Sequence, residues 1–224
     1  MRNDFASVFP LKRSRAHEVV TGGAGFVFAA IVAGMTDRKT TGTPNLDKKL
    51  PVGSGPQGGG LAGTVVWCCE NRKPTLNPEG LLPYCDPGRF LITRTQTHLD
   101  VLASAETALR SGAVPLVVAE VSERVGLTEG RRLQLAAEAG RSTAVLIVPD
   151  GGGSNAAETR WQCRAVMTED GLENRVFNPL AVESFDSTHW RWSLIKNKTG
   201  TLSEWIVRWD AATRRVIVVS EIGG

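Results

Sequence analysis

The stretch that decides the fold runs from Thr97 to Val148: THLDVLASAETALRSGAVPLVVAE (97–120), VSERVGLTEGRRLQLAAEAG (121–140) and RSTAVLIV (141–148). Thr97 and Asp100 read as a capping-box-like helix start, with the Thr hydroxyl placed to take the Asp100 amide. Apolar residues then recur at Val101, Leu102, Ala105, Ala108 and Leu109, the spacing of one buried helix face, until Ser111-Gly112 stops the run. Val114–Val121 is read as a strand. A second helix is predicted over Thr128–Ala139, ended by Gly140, and a second strand over Thr143–Val148. Helix, strand, helix, strand in that order predicts a mostly parallel α/β sheet with helices on its faces.

Working outward, the same pattern continues upstream. Phe90-Leu91-Ile92 is a short strand, and Thr64-Val65-Val66-Trp67-Cys68-Cys69 is another continuous apolar run. Val19–Thr21 is a strand end that meets Gly22-Gly23-Ala24-Gly25 and then a helix through about Met35. Strand, glycine turn and helix is the opening of a nucleotide-type unit. Downstream of Pro149 the helical period disappears. Strands are predicted at about 159–167, 189–196, 203–209 and 215–220, joined by turns such as Lys198-Thr199-Gly200, as antiparallel hairpins that extend the same sheet. The whole chain, 1–224, is expected to be one domain. Residues 1–16 form an N-terminal extension, 36–62 a flexible Thr-, Gly-, Pro- and Lys-rich loop, and 159–224 the C-terminal β hairpins.

Composition narrows the function classes. The 224 residues carry 26 Lys+Arg against 23 Asp+Glu, a formal net charge of +3, with 42% hydrophobic residues. That is too apolar for a disordered chain, and no polybasic tail announces nucleic acid. Cys68, Cys69, Cys85 and Cys163 lack CxxC spacing, so neither zinc nor any other metal is expected, nor a disulfide framework. Lys12, Arg13 and Arg15 before the apolar run Ala24–Met35 imitate a secretion signal, but His17-Glu18 and the glycine turn lie between them. The run is also too short to span a bilayer. A cytoplasmic protein with no membrane contact is the expectation.

Several short stretches carry a family resemblance. Arg110-Ser111-Gly112-Ala113-Val114 followed by Leu116-Val117-Val118-Ala119-Glu120 resembles the Walker B region of RecA, with Glu120 where that family has Asp. Thr64 to Glu70, continuing to Leu76-Asn77-Pro78, resembles the RecA strand whose terminal Glu orients the attacking water. Thr159-Arg160-Trp161-Gln162-Cys163-Arg164 resembles the strand after the second DNA loop, and Lys196-Asn197-Lys198 the RecA triplet that reaches a neighbouring subunit's nucleotide. Within this RecA-like group the chain is most similar to ImuA, the inducible-mutagenesis protein A family. The stretches typical of it are His17-Glu18-Val19-Val20, Gly63 to Cys68, Val118-Ala119-Glu120-Val121, Arg131 to Ala139 and Thr159-Arg160-Trp161.

The resemblance covers roughly residues 16–210 and implies a RecA-like core. It implies an accessory protein of the SOS response, acting in damage-induced, error-prone translesion synthesis. Its implied partners are an ImuB-type Y-family-like protein, a DnaE-type error-prone polymerase and, through the Lys-Asn-Lys edge, RecA itself. Single-stranded or primer-template DNA would be the nucleic acid. Residues 1–16 lack a RecA-type polymerisation helix, so self-filament formation is not expected.

The chemistry-bearing residues divide as follows. Gly22, Gly23 and Gly25 form a degenerate phosphate loop: a working one needs G-x-x-x-x-G-K-[ST], and here Phe26 and Val27 stand where Lys and a hydroxyl belong. The turn is read as a strand-to-helix connection, with anion binding at the helix N-terminus left open. Glu70 and Glu120 end strands where α/β sheets place ligands, as a general base and a Mg²⁺ holder or as vestigial carboxylates. No catalytic residue and no ATP or Mg²⁺ cofactor is expected, with a residual ATPase acting on single-stranded DNA as the alternative. Lys196 and Lys198 are read as sharing a strand face, either solvated or turned to another subunit. Gly151, Gly152, Gly153, Asn155 and Arg160 form a candidate DNA-contact loop. Arg131 and Arg132 are expected on an exposed helix face. Trp161, Trp190, Trp192, Trp205 and Trp209 are packing residues, a partner patch or a base-stacking surface.

Overall fold

Six parallel strands and three antiparallel ones make a single nine-stranded sheet in a computed structural model that describes residues 4–22, 24–36, 63–74, 76–166, 189–198 and 200–222. Gly23 and nearly all of the predicted 36–62 loop lie outside the described residues, as does Thr199 of the predicted turn. In chain order the elements are α1 (Phe5–Val8), β1 (Ala16–Val20), α2 (Gly25–Met35), β2 (Val65–Glu70), α3 (Pro78–Leu81), β3 (Phe90–Thr95), α4 (His98–Ser111), β4 (Leu116–Glu120), α5 (Leu127–Gly140), β5 (Thr143–Val148), β6 (Thr159–Val166), β7 (His189–Asn197), β8 (Ser203–Asp210) and β9 (Arg215–Ile222). The sheet order is β3-β2-β4-β5-β1-β6-β7-β8-β9, parallel from β3 to β6 and antiparallel from β6 to β9. The fold is thus a mixed α/β architecture with a large, mostly parallel sheet and antiparallel C-terminal strands.

The strands form where apolar residues run unbroken. β1, β2, β4 and β5 are buried along their whole length, because helices cover both faces. Side-chain alternation divides the interior into two cores. On one face α1 and α2 pack over Val19, Trp67, Leu116, Val145 and the tryptophans of β6–β8. On the other, α4 and α5 pack over Val66, Cys68, Val117, Ala144 and Leu146. Each fully buried large aliphatic side chain contributes about 1.5–3 kcal/mol, so the two interfaces hold the sheet without a disulfide. All four cysteines are buried free thiols, and burial pushes Cys68 up to about 11 and Cys85 up to about 12.

Helix α4 begins as the sequence dictates: the Thr97 hydroxyl accepts the Asp100 amide, and Gly112 ends the helix in the left-handed conformation at φ 65°. Two features refine the expectation. Of the readings open for the tryptophans, packing is the one observed. Trp161, Trp192 and Trp205 are at most 1% exposed, and edge-on or tilted contacts with Phe5, Phe9 and Phe28 bury them. The N-terminal segment, read only as an extension, supplies the short helix α1 that caps this aromatic core. Second, β3 runs on to Thr95 and is the exposed sheet edge, with Leu91 50% and Ile92 42% exposed. Among the described residues, no helix is long and apolar enough to cross a membrane.

Candidate functional site

The C-terminal tips of the parallel strands gather the glycine turn after β1 and the carboxylates that end β2 and β4. The turn is tight. Thr21 donates its amide to the Val148 carbonyl at 2.6 Å, Ala24 to Cys163 at 3.0 Å, and Gly25 to Gly22 at 3.2 Å. Gly22 sits at φ 91°, where only glycine is unstrained, and a Cβ on Gly25 would come within 2.5 Å of the Val20 carbonyl oxygen. These glycines are therefore required by the geometry of the turn itself. Where a phosphate loop would place its Lys, the first turn of α2 carries Phe26, which stacks on Trp67 of β2 with ring centroids 6.2 Å apart and planes 16° apart.

Glu70 and Glu120 are both buried, at 2% and 5% exposure. The β2–β4 register pairs Cys68 with Ala119, so Glu70 lies one residue further along its strand than Glu120. Alternation then sends the two side chains to opposite faces of the sheet. Each carboxylate already has an internal partner. Ser122 donates its hydroxyl to Glu70 Oε1, and Arg72 Nε meets Glu70 Oε2 at 2.5 Å. Arg72 also donates to Ser122 Oγ at 3.0 Å. Lys73 Nζ lies 3.2 Å from Glu120 Oε1. The Ser122 hydrogen bond, followed by Arg72, holds the Glu70 carboxyl below its ordinary range despite burial. The turn 71–73 thus neutralises both strand-end acids from within the chain. Arg72, Lys73 and Ser122 are not among the candidates legible in the sequence, although Arg72 and Lys73 lie only two and three residues after Glu70.

The other predicted residues meet around a different glutamate. Glu18, in the middle of β1, is 1% exposed. Its Oε1 accepts the Ser154 amide at 2.8 Å and its Oε2 accepts Arg160 Nε at 2.7 Å. Arg160 also donates to the Ser154 carbonyl at 2.9 Å. The 150–158 connection, which carries the candidate DNA-contact loop, is therefore pinned across β1. Gly152 is buried, its carbonyl accepts the Val125 amide at 2.7 Å, and a Cβ on Gly153 would collide with the Arg160 guanidinium. Gly151, at φ 68°, and Asn155 remain exposed. Burial pushes the Glu18 carboxyl up, with Ser154 and Arg160 pulling it back.

The two lysines part company. Lys196 turns inward and donates to the Ala157 carbonyl, and burial lowers its pKa against the pull of Glu18. A bulge in β7 opposite Arg160–Trp161 sets that orientation. Lys198 lies beyond the end of β7 and is exposed. Arg131 and Arg132 are exposed on α5. His17, on the reverse side of β1 from Glu18, completes a buried relay. Trp161 Nε1 donates to Thr159 Oγ1 at 2.9 Å, Thr159 meets His17 Nδ1 at 2.7 Å, and His17 Nε2 meets the Lys12 carbonyl at 2.8 Å. Because that carbonyl can only accept, Nε2 carries the ring proton and Nδ1 accepts from Thr159. Burial lowers the His17 pKa to about 4.

Among the described residues no cluster of His, Cys, Asp and Glu could hold a metal ion. No protein-family model matches the chain, and no curated protein matches it. Among solved structures, the chain is similar to SulA from Pseudomonas aeruginosa, at 16% identity and a TM-score of 0.42, covering 59% of this chain and 95% of that one. A likeness at that level carries nothing about activity or partners.

Proposed function

We propose that the chain is a RecA-like accessory protein of damage-induced, error-prone DNA synthesis, of the ImuA kind, which binds DNA and polymerase partners and hydrolyses nothing. The resemblance in the sequence supplies the family. The parallel sheet, with a glycine turn leading directly from β1 into α2, supports the RecA-like core. The observation that carries the non-catalytic half is the state of the strand tips. ATP and Mg²⁺ do not fit there. Phosphoryl transfer is mostly positioning and charge stabilisation, and it needs a cation and a hydroxyl at the head of α2. Phe26 on Trp67 occupies that place. A base and a metal holder must also face one substrate, whereas Glu70 and Glu120 leave opposite faces, each already paired with its own cation.

What remains for such a protein is recognition. An ImuB-type Y-family-like protein and a DnaE-type polymerase are the partners of this reading, with DNA as the shared ligand. RecA is a weaker member of that set, since Lys196 is bound within the chain and only Lys198 of the pair reaches outward. Size-exclusion co-elution of the purified chain with each polymerase partner, with and without primer-template DNA, tests the reading. A stable complex with at least one partner is expected. Separate elution of all components, with DNA present, overturns it.

A further inference from the structure

The outer face of the C-terminal strands offers a feature that the strand tips do not. β6, β7 and β8 turn Trp161, Cys163, Trp190, Trp192, Trp205, Val207 and Trp209 to the interior. Alternation therefore sends Arg164, Arg191, Ile206 and Arg208 to the opposite face. Helices α4 and α5 pack on β1–β5, and no described helix packs closely on the outer side of β7–β9. Arg164 and Arg191 are exposed and stand directly opposite each other across β6 and β7. Arg191 faces Ile206, and Arg208 faces Ile217 one row further along. Three guanidinium-bearing positions thus span three adjacent strands, about 10 Å at ordinary strand spacing.

Like charges set directly opposite on a sheet are destabilising, and among the described residues no salt bridge relieves this pair. Among the described residues no salt bridge joins a carboxylate to Arg164 or Arg191, and Asp210, two residues along β8, attracts Arg208 only at longer range. The acids sharing this face are already engaged: Glu204 accepts the Ser193 hydroxyl at 2.7 Å, and Asp210 accepts the Thr213 amide at 3.0 Å opposite Arg215. By contrast, the arginine of the predicted DNA loop, Arg160, is locked to Glu18. Among the described residues, the arginines of β6 and β7 that form no salt bridge therefore lie on the sheet face and not in the loop.

We infer that this outer face, centred on Arg164, Arg191 and Arg208, binds the phosphodiester backbone of nucleic acid. The inference rests on the DNA-binding part of the reading above and gives it a location. The planar fork of Arg suits phosphate oxygens, and a row of them along a flat sheet can follow a flexible strand. All the tryptophans of this unit lie on the other side, so the face offers charge and short aliphatic contacts but no stacking platform. Binding of this kind is indifferent to base sequence and sensitive to salt.

The test is fluorescence anisotropy of a labelled 30-nucleotide thymidine oligomer, and of a 30-base-pair duplex, titrated with the chain at a series of salt concentrations. The combined variant Arg164→Ser/Arg191→Thr/Arg208→Thr should bind at least tenfold more weakly near 100 mM salt. Its slope of log K against log salt should fall by about 2, since each lost phosphate contact on a single strand removes about 0.7. Its thermal midpoint should be unchanged or higher, because a like-charge pair is relieved. If that variant folds poorly, Arg191→Glu sets a carboxylate beside Arg164 and should abolish binding in a folded protein. Wild-type affinity and slope in both variants, together with weakened binding in Asn155→Asp, overturn this location and leave DNA binding standing. Failure of the wild type to bind either nucleic acid overturns both.

Discussion

Glu18 lies in the middle of β1 and Glu70 at the tip of β2; they are 1% and 2% exposed, and each is paired with an arginine. Their carboxyls are nevertheless displaced in opposite directions. Glu18 is pushed up because burial outweighs its hydrogen bonds, and its partner Arg160 is itself only 18% exposed. Glu70 is held down by the Ser122 hydroxyl and by Arg72, whose side chain is 67% exposed and keeps its own hydration. Depth within the sheet separates the two. A carboxylate in mid-strand becomes a clasp for a connection that crosses over it. One at a strand tip stays charged and is answered from the adjoining turn. Both carboxylates are engaged by partners within the chain.

The comparison can be broken most severely at Glu18. Glu18→Ala removes the carboxylate that pairs with Arg160 and strands the Ser154 amide, so it should cost about 3–5 kcal/mol, the usual loss on breaking a buried pair. Urea unfolding monitored by tryptophan fluorescence measures it. A loss under about 1 kcal/mol would place Glu18 with the surface pairs and dissolve the contrast.

Next in size is the pH dependence set by the neighbouring residue on the reverse face of β1. His17 titrates near 4 in the folded chain against 6.5 unfolded. The unfolded state therefore binds the extra proton first, and stability present above pH 6.5 is lost as the pH falls toward 4. At about 1.4 kcal/mol per pKa unit the loss approaches about 3 kcal/mol. Glu18 runs the other way: a raised carboxyl pKa makes the native state take up its proton first, which offsets part of the loss. A stability profile from pH 7 to 4 should fall in wild type and flatten in His17→Gln. Equal slopes in the two proteins would contradict the relay through Thr159.

The smallest effect belongs to the strand tip. Arg72→Ala should lower stability by at most about 1 kcal/mol, because a highly exposed partner contributes little and Ser122 still holds Glu70. A change as large as that at Glu18, read by the same urea titration, would show that the tip is also a structural clasp.

Most of the sheet was legible in the sequence because β2, β4 and β5 are buried on both faces and so are written as unbroken apolar runs. Thr97 and Gly112 marked α4 for the same local reason: capping chemistry is carried by one or two residues. β1 was harder. Its polar His17 and Glu18 hid the start at Ala16, since their partners Thr159, Arg160 and Ser154 lie more than 130 residues away. α1 has one turn and no period to read. Glu70 and Glu120 were found as strand-end acids, but their opposite faces follow from a one-residue offset between β2 and β4, which neither strand reveals alone. The glycines at 151–153 looked like a free loop because the carboxylate that pins it is remote in sequence.

The central claim is that the strand tips perform no turnover, and steady-state ATP hydrolysis by the purified chain tests it most directly. The assay contains Mg²⁺ and is run with and without single-stranded DNA, alongside Glu70→Gln. Phosphate release indistinguishable from the protein-free blank is expected in every case, since Phe26 stands where a cation is required and both acids are already paired. Steady turnover in the wild type that disappears in Glu70→Gln would contradict it.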